Sequence, residues 1–204
     1  EPILDVGEQQ ANFTLTGKVS PNGRVFDKEE LLRLTRRYEA LLYLDEAHAT
    51  GIIGERGEGL AQQLQLQQNI FCRIHTFGKA VGCHGAVVLG SQQLKDYLIN
   101  FARSFIYSSA LPEHTIACIK ASYALFPSMQ DERAHLQKLI THFQQAELAY
   151  QKLISQTPVQ VVVIPGNDFV KIAAEKLQQN NLDVRAILYP TVPKGAERLR
   201  IVLH

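Results

Sequence analysis

The sequence predicts an α/β protein in two parts, a larger unit on a mainly parallel sheet and a smaller C-terminal α/β unit. Three observations carry that prediction. Short apolar, β-rich runs recur in ALLYLDEAHATG, IFCRIHTFGKAVG and GAVVLGS, each closed by glycine or polar residues, as a buried strand is at its carboxyl end. Helical apolar spacing separates the later strands. Beyond Pro158, the stretches VQVVVIPG, VRAILYP and RLRIVL begin a second strand and helix alternation.

Taken in order, Glu1 to Phe13 shows no clear periodicity. From Asp27, DKEELLRLTRRY reads as a helix, with Asp27 as its cap and Glu30 completing a capping box. The strand in ALLYLDEAHATG ends abruptly in acidic residues, histidine and glycine, and ligands gather at such strand ends. GERGEGLA is a glycine-rich turn, and AQQLQLQQN an exposed helix or loop. Strands in IFCRIHT and GAVVLGS precede helices expected over 92–103, 113–126 and 131–155. The last is long, charged and amphipathic, as a bridge between domains is, which sets the units at 1–140 and 141–204. The smaller unit has a further helix near 168–180.

The 21 basic and 20 acidic residues nearly cancel, which argues against a nucleic-acid surface or an electrostatic membrane anchor. Small molecules or proteins are the expected partners. Three cysteines, Cys72, Cys83 and Cys118, fit a reducing compartment better than a disulfide framework, so the cytosol is expected. No apolar run reaches the length of a membrane span.

Asp45-Glu46-Ala47-His48 spells a helicase-type acidic strand end, but no G-x-x-x-x-G-K-[ST] phosphate loop accompanies it. Gly54, Gly57 and Gly59 lack dinucleotide-fingerprint spacing. Cys72, His75, Cys83 and His84 have the residue types of a zinc site, yet positions 72 and 75 of one strand face opposite ways. Lys79 differs. It lies in the small, glycine-bounded loop T-F-G-K-A-V-G directly after a strand, where apolar and small neighbours predict a partly dehydrated amine of lowered pKa. Thr76 places a hydroxyl three residues before it, suited to a phosphate. Asp45, at a strand end, suits the acid that keeps a cofactor pyridine protonated, and His48 either donates to the ring's phenolic oxygen or caps the turn.

These blocks resemble a known family. YLDEAHATGIIGERGEG, HTFGKAVGCHGAVVLGS, FIYSSALP and PTVPKGAERLRI, from about Ser20 onward, are similar in order and spacing to the α-oxoamine synthases. The resemblance implies the fold of a fold-type I pyridoxal-phosphate transferase. It also implies an acyltransferase that condenses a small amino acid with an acyl-CoA, releasing carbon dioxide and CoA. By matching position, Lys79 resembles the Schiff-base lysine and Asp45 the partner of the pyridine nitrogen. His48 resembles the donor to the phenolic oxygen, and Thr76 the phosphate-binding threonine. Ser108 and Ser109 match the stretch that reaches the phosphate of the neighbouring subunit, which implies a homodimer with shared sites. Arg200 resembles the arginine that clamps the substrate carboxylate. Ser20, in VSPNG, stands where the family has a serine before Met-Asp-Gly, a block that has drifted here.

The family's N-terminal half, with its glycine-rich phosphate loop and ring-stacking histidine, has no counterpart in this chain. Disordered or removed segments, or a remnant gene product, are the alternatives. Among family products, 8-amino-7-oxononanoate, from alanine and a pimeloyl thioester in biotin synthesis, is taken as the commonest soluble bacterial type. 2-Amino-3-oxobutyrate, 5-aminolevulinate and 3-ketosphinganine stay open, as do a fold-type I aminotransferase and a non-catalytic partner subunit.

Overall fold

The computed structural model describes residues Asn12–Thr16 and 28–204. Ser20 and the proposed cap Asp27 lie outside the described residues. The chain divides into two compact units, the first ending at Gln130 and the second starting, among the described residues, at Asp131.

The first unit holds β1 (Asn12–Thr16), α1 (Lys28–Arg37), β2 (Leu41–Asp45), α2 (Leu60–Gln63), β3 (Cys72–Thr76) and β4 (Ala86–Gly90). It continues with α3 (Gln92–Phe101), α4 (Arg103–Ile106) and α5 (Glu113–Leu125). Its sheet has the order β1-β2-β3-β4; the first three strands are parallel, and β4 runs antiparallel to β3. The mainly parallel sheet expected from the strand endings is therefore present.

Register gives that sheet two distinct faces. Tyr43 pairs with Cys72 and Asp45 with Ile74, so the period of two puts Tyr43, Asp45, Cys72, Ile74 and Thr76 on one face, the front. Leu42, Leu44, Arg73 and His75 take the back. Leu31 of α1, in the connection between β1 and β2, and Leu66, in the connection between β2 and β3, meet Leu42 on that back in a buried cluster. Leu42 and Leu66 are almost wholly buried, and each contributes about 2 kcal/mol of apolar transfer energy. Further along, Phe77, Val81 and Phe126 make a second cluster with Val87 and Ile119.

The second unit comprises α6 (Gln130–Gln145, whose first residue closes the first unit), β5 (Val159–Val163), α7 (Asn167–Gln179), β6 (Arg185–Ile187) and β7 (Arg198–Val202). Its antiparallel sheet has the order β5-β7-β6. Val162, Ile164, Val170, Ala174, Val184 and Leu199 form its core, between the sheet and α7.

Several expectations need correction. The helix expected over 131–155 ends at Gln145. There the chain reverses, and residues 151–153 pair along β5, with Leu153 N–H donating to Val161 O and Val163 N–H to Gln151 O. The Lys152 ammonium takes the carbonyls of Phe143 and Gln144, at 2.9 and 2.8 Å, and that of Ala146, stopping the helix with a cation at its negative end. The two units meet between Gln130 and Asp131, in the first turn of α6, where 140/141 was expected; Phe143 packs on the second unit's core and the Gln144 side chain bonds that of buried Gln160. The helix expected over 92–103 is broken at Ala102, whose backbone is extended. Strand β1, within a stretch read in part as aperiodic, was not expected.

Candidate functional site at the carboxyl ends of two parallel strands

Strand β2 delivers Asp45 to the front of the sheet, and the chain turns at once. Asp45 Oδ1 accepts the Ala47 N–H at 2.8 Å, which leaves Oδ2 uncommitted among the described residues. The backbone N–H groups of Ala49 and Thr50 donate to Glu46 O, closing the turn that contains half-buried His48.

Glu46 is fully buried. Its Oε2 accepts from Leu60 N at 2.9 Å and its Oε1 from Ala61 N at 2.8 Å, at the start of α2. Burial pushes its carboxyl above the usual carboxylate range, and the two N–H groups oppose that shift. Gly59 makes this approach possible: its φ is +105°, and an added Cβ would lie 2.9 Å from Glu46 Oε2.

Strand β3 ends at Thr76, on the same face as Asp45 and one strand over. Strand geometry puts their Cα atoms about 8 Å apart. Thr76 Oγ1 is buried and has no hydrogen-bond partner among the described residues. A buried hydroxyl in that state awaits an acceptor. Gly78 follows at an ordinary φ, and a Cβ there would meet nothing closer than Cys83 O at 3.7 Å. Nothing in the described fold demands glycine at 78, whereas a group approaching the backbone would.

Lys79 is exposed. The dehydrated amine expected from its apolar neighbours is thus not produced by the described residues of one chain. In the loop after β3, Phe77 and Val81 turn into the core while Lys79 is exposed, because burial depends on what packs over a side chain and not on its neighbours in sequence. On the back face His75 is 5% exposed, with Nδ1 2.7 Å from Thr50 Oγ1 and Nε2 unpartnered among the described residues. Burial, with the nearby positive Arg73, lowers its pKa to about 4, against a smaller opposing effect of Asp45. Cys72 faces the front, so it and His75 do not converge, and no metal-holding cluster of His, Cys, Asp or Glu occurs among the described residues.

Topology therefore brings Asp45, His48, Thr76 and Lys79 to the carboxyl ends of two adjacent parallel strands. Ser108 and Ser109, after α4, are exposed and border a shallow cleft of about 420 Å³ with Ile99, Phe105 and Ile106. Arg200 lies on β7 in the other unit, exposed, opposite Val161 on β5 and Arg185 on β6. The loop before β7 is pinned by buried Glu197, whose Oε2 accepts from Gly166 N and Gly195 N, each at 2.9 Å. Those bonds, Gly166 first, hold its carboxyl below the usual range.

In the sequence Glu46 stands out only within a helicase-like tetrapeptide and His75 only as a candidate zinc ligand, and nothing local marks Thr50. A polar residue at an inward position of an apolar strand was the available signal for His75.

The site residues fit pyridoxal phosphate. The front face offers an uncommitted carboxylate oxygen for the pyridine nitrogen, an orphaned hydroxyl for the phosphate, and a lysine on the next loop.

A family model described as aminotransferase class I and II matches residues 6–204. An 8-amino-7-oxononanoate synthase of Emericella nidulans is 41% identical over 201 residues, 94% of this chain and 48% of that protein. One from Marinobacter nauticus is 38% identical over 190 residues, 92% of this chain and 48% of its own length. The chain thus spans about half the length of the curated relatives it matches. The solved 8-amino-7-oxononanoate synthase of Francisella tularensis superposes with a TM-score of 0.75 at 29% identity, covering 94% of this chain and 56% of that one. Serine palmitoyltransferase of Sphingomonas wittichii superposes at 0.85 and 23% identity over 96% of this chain and 50% of that one, a likeness of fold.

Proposed function

The chain belongs to the aminotransferase class I and II family, and from that premise we propose that it forms part of a pyridoxal-phosphate-dependent α-oxoamine synthase. The single observation that carries this reading is the shared front face of Asp45 and Thr76, with the loop of Lys79 directly beyond. Bound there, the cofactor supplies an electron sink for the negative charge left on a substrate α-carbon.

Each residue has a task in this reading. Asp45 would keep the pyridine nitrogen protonated through Oδ2, and Thr76 would donate to the phosphate its hydroxyl, which has no partner among the described residues. His48 donates to the phenolic oxygen. Lys79 would hold the cofactor through its amine and would serve as the base that takes the substrate's α-proton. Arg200 clamps the substrate carboxylate with a bidentate fork.

The substrates are a small amino acid and an acyl-CoA, condensed with loss of carbon dioxide. Alanine and a pimeloyl thioester, giving 8-amino-7-oxononanoate, are the pair proposed, supported by the names of the relatives at 38% and 41% identity. The working unit is a homodimer that completes the site and covers exposed Lys79. Support comes from the large apolar side chains left exposed beside Ser108 and Ser109, among them Phe101, Phe105 and Tyr107. Its place is the cytosol, in keeping with three free cysteines. Among the described residues no helix is long and apolar enough to cross a membrane.

The test uses the complete protein loaded with pyridoxal phosphate and offered glycine, alanine or serine against a panel of acyl thioesters. Release of free CoA with alanine and pimeloyl-CoA is expected, and no release with any pair overturns the reading. Rapid conversion of the amino acid to a keto acid would instead mark an aminotransferase. Lys79→Ala is expected to abolish the visible absorbance of the lysine-bound cofactor and to lower turnover by about 10²- to 10⁴-fold. An unchanged spectrum removes Lys79 from its role.

A further inference from the structure

The back of the sheet carries three buried polar side chains that the proposed reaction does not use. Glu46 O accepts the hydroxyl of Thr50 at 2.9 Å, and Thr50 Oγ1 lies 2.7 Å from His75 Nδ1. Donor counting favours one arrangement of the protons. A threonine hydroxyl has one proton, and the carbonyl of Glu46 can only accept, so that proton goes to Glu46. His75 Nδ1 must then carry hydrogen and donate to Thr50, leaving Nε2 a bare lone pair. The opposite assignment would set two lone pairs against each other at 2.9 Å.

Burying such a chain among apolar side chains costs desolvation energy that a pair of aliphatic residues would not. Its placement shows the return. Glu46 sits between Asp45 and the turn of His48, and is anchored to the start of α2 through Leu60 and Ala61. His75 immediately precedes Thr76 on the strand that leads to Lys79. The Thr50 to His75 bond therefore ties the turn after β2 to the end of β3.

We propose that Glu46, Thr50 and His75 are positioning residues, a hydrogen-bonded brace behind the sheet that fixes Asp45 relative to Thr76 and Lys79 in front. The proposal rests on the reading of those three as cofactor residues. It assigns the brace no contact with substrate or cofactor.

The experiment uses the complete protein and three readouts: pyridoxal-phosphate affinity, the pH midpoint of the bound cofactor's visible absorbance, and the melting temperature without cofactor. Thr50→Val removes the hydroxyl at nearly constant shape. It is expected to weaken cofactor affinity about 10-fold, the worth of one such bond, and to move the pH midpoint. Thr50→Ser, which keeps both bonds, is expected to restore both readouts to within about twofold. Should Thr50→Val fold poorly, the double variant Thr50→Val with His75→Leu makes both partners apolar, a change that can be nearly neutral for stability. It is expected to melt near wild type while still binding cofactor weakly. Wild-type affinity and pH midpoint in either variant, with only the melting temperature changed, overturn the brace. Those outcomes leave the cofactor reading intact, since that reading fails separately if Lys79→Ala keeps the wild-type spectrum.

Discussion

Acid should weaken this fold through one ring. His75 has an ordinary pKa of 6.5 that falls to about 4 in the folded chain, chiefly through burial and secondarily through Arg73, with Asp45 pulling the other way. A lowered pKa on a base means that between those two values the unfolded chain binds a proton the folded chain refuses. Stability from this group is therefore fully present above pH 6.5, is lost as pH falls, and stops falling below pH 4. The whole loss is about 3 kcal/mol, of which about 2 kcal/mol has appeared by pH 5. Buried Glu46 acts with the opposite sign, because its raised pKa lets the folded chain take up a proton before the unfolded chain does. A raw stability curve mixes the two. Urea unfolding of the cofactor-free protein, measured against the Thr50→Val, His75→Leu double variant, cancels Glu46 and isolates the ring. The difference should be constant above pH 7 and shrink by about 2 kcal/mol at pH 5. Nitrogen NMR of the imidazole supplies the direct check. A difference independent of pH, a titration near 6.5, or hydrogen on Nε2 would refute the reasoning.

Other perturbations test other joints. Gly59→Ala forces a side chain onto a φ of +105° with its Cβ 2.9 Å from the Glu46 carboxylate, and should cost about 1–3 kcal/mol in denaturant titrations. Full stability would show that Glu46 is not held as described. In the second unit, Glu197 has a lowered pKa, so its contribution is present above the ordinary carboxyl value of 4.5 and is lost as pH falls through the lowered one. Protection of the Gly166 and Gly195 amides, taken relative to the intrinsic exchange rate at each pH, should fall over that acid range, and at neutral pH in Glu197→Gln, where an amide replaces the charged acceptor. Unaltered protection would remove Glu197 as the pin of that loop.

Strands β2 to β6 were legible because their apolar runs are followed closely by glycine, proline or charge, and those endings are local; β7 was legible from the run RLRIVL alone. The end of α6 was not, since Lys152 and the pairing of residues 151–153 with β5 decide it from outside the helix. The break at Ala102 carries no proline or glycine to announce it. The sequence places Asp45 and Thr76 at strand ends and Lys79 in the loop beyond, as the fold does, but the exposure of Lys79 was not legible, because dehydration depends on what covers a loop. The brace was the least legible part. Thr50 and His75 meet across a separation that only the tertiary fold closes.

The alternation of a strand explains why that brace and the site are neighbours in sequence yet separate in space. Asp45 and Glu46 are consecutive acids: Asp45 ends β2 on the front face, and Glu46, whose N–H still donates to Ile74 O, turns inward and is buried. In front, Asp45 keeps an oxygen uncommitted; behind, Glu46 is buried and spends both oxygens on backbone N–H groups. The next strand repeats the division, with His75 behind and Thr76 in front. At both strand ends, one residue of each pair faces the proposed cofactor and its neighbour locks the backbone that aims it. A slip of one residue in either strand would exchange those roles, burying Asp45 or exposing Glu46. The bond between Thr50 and His75 therefore holds the register on which the front face depends.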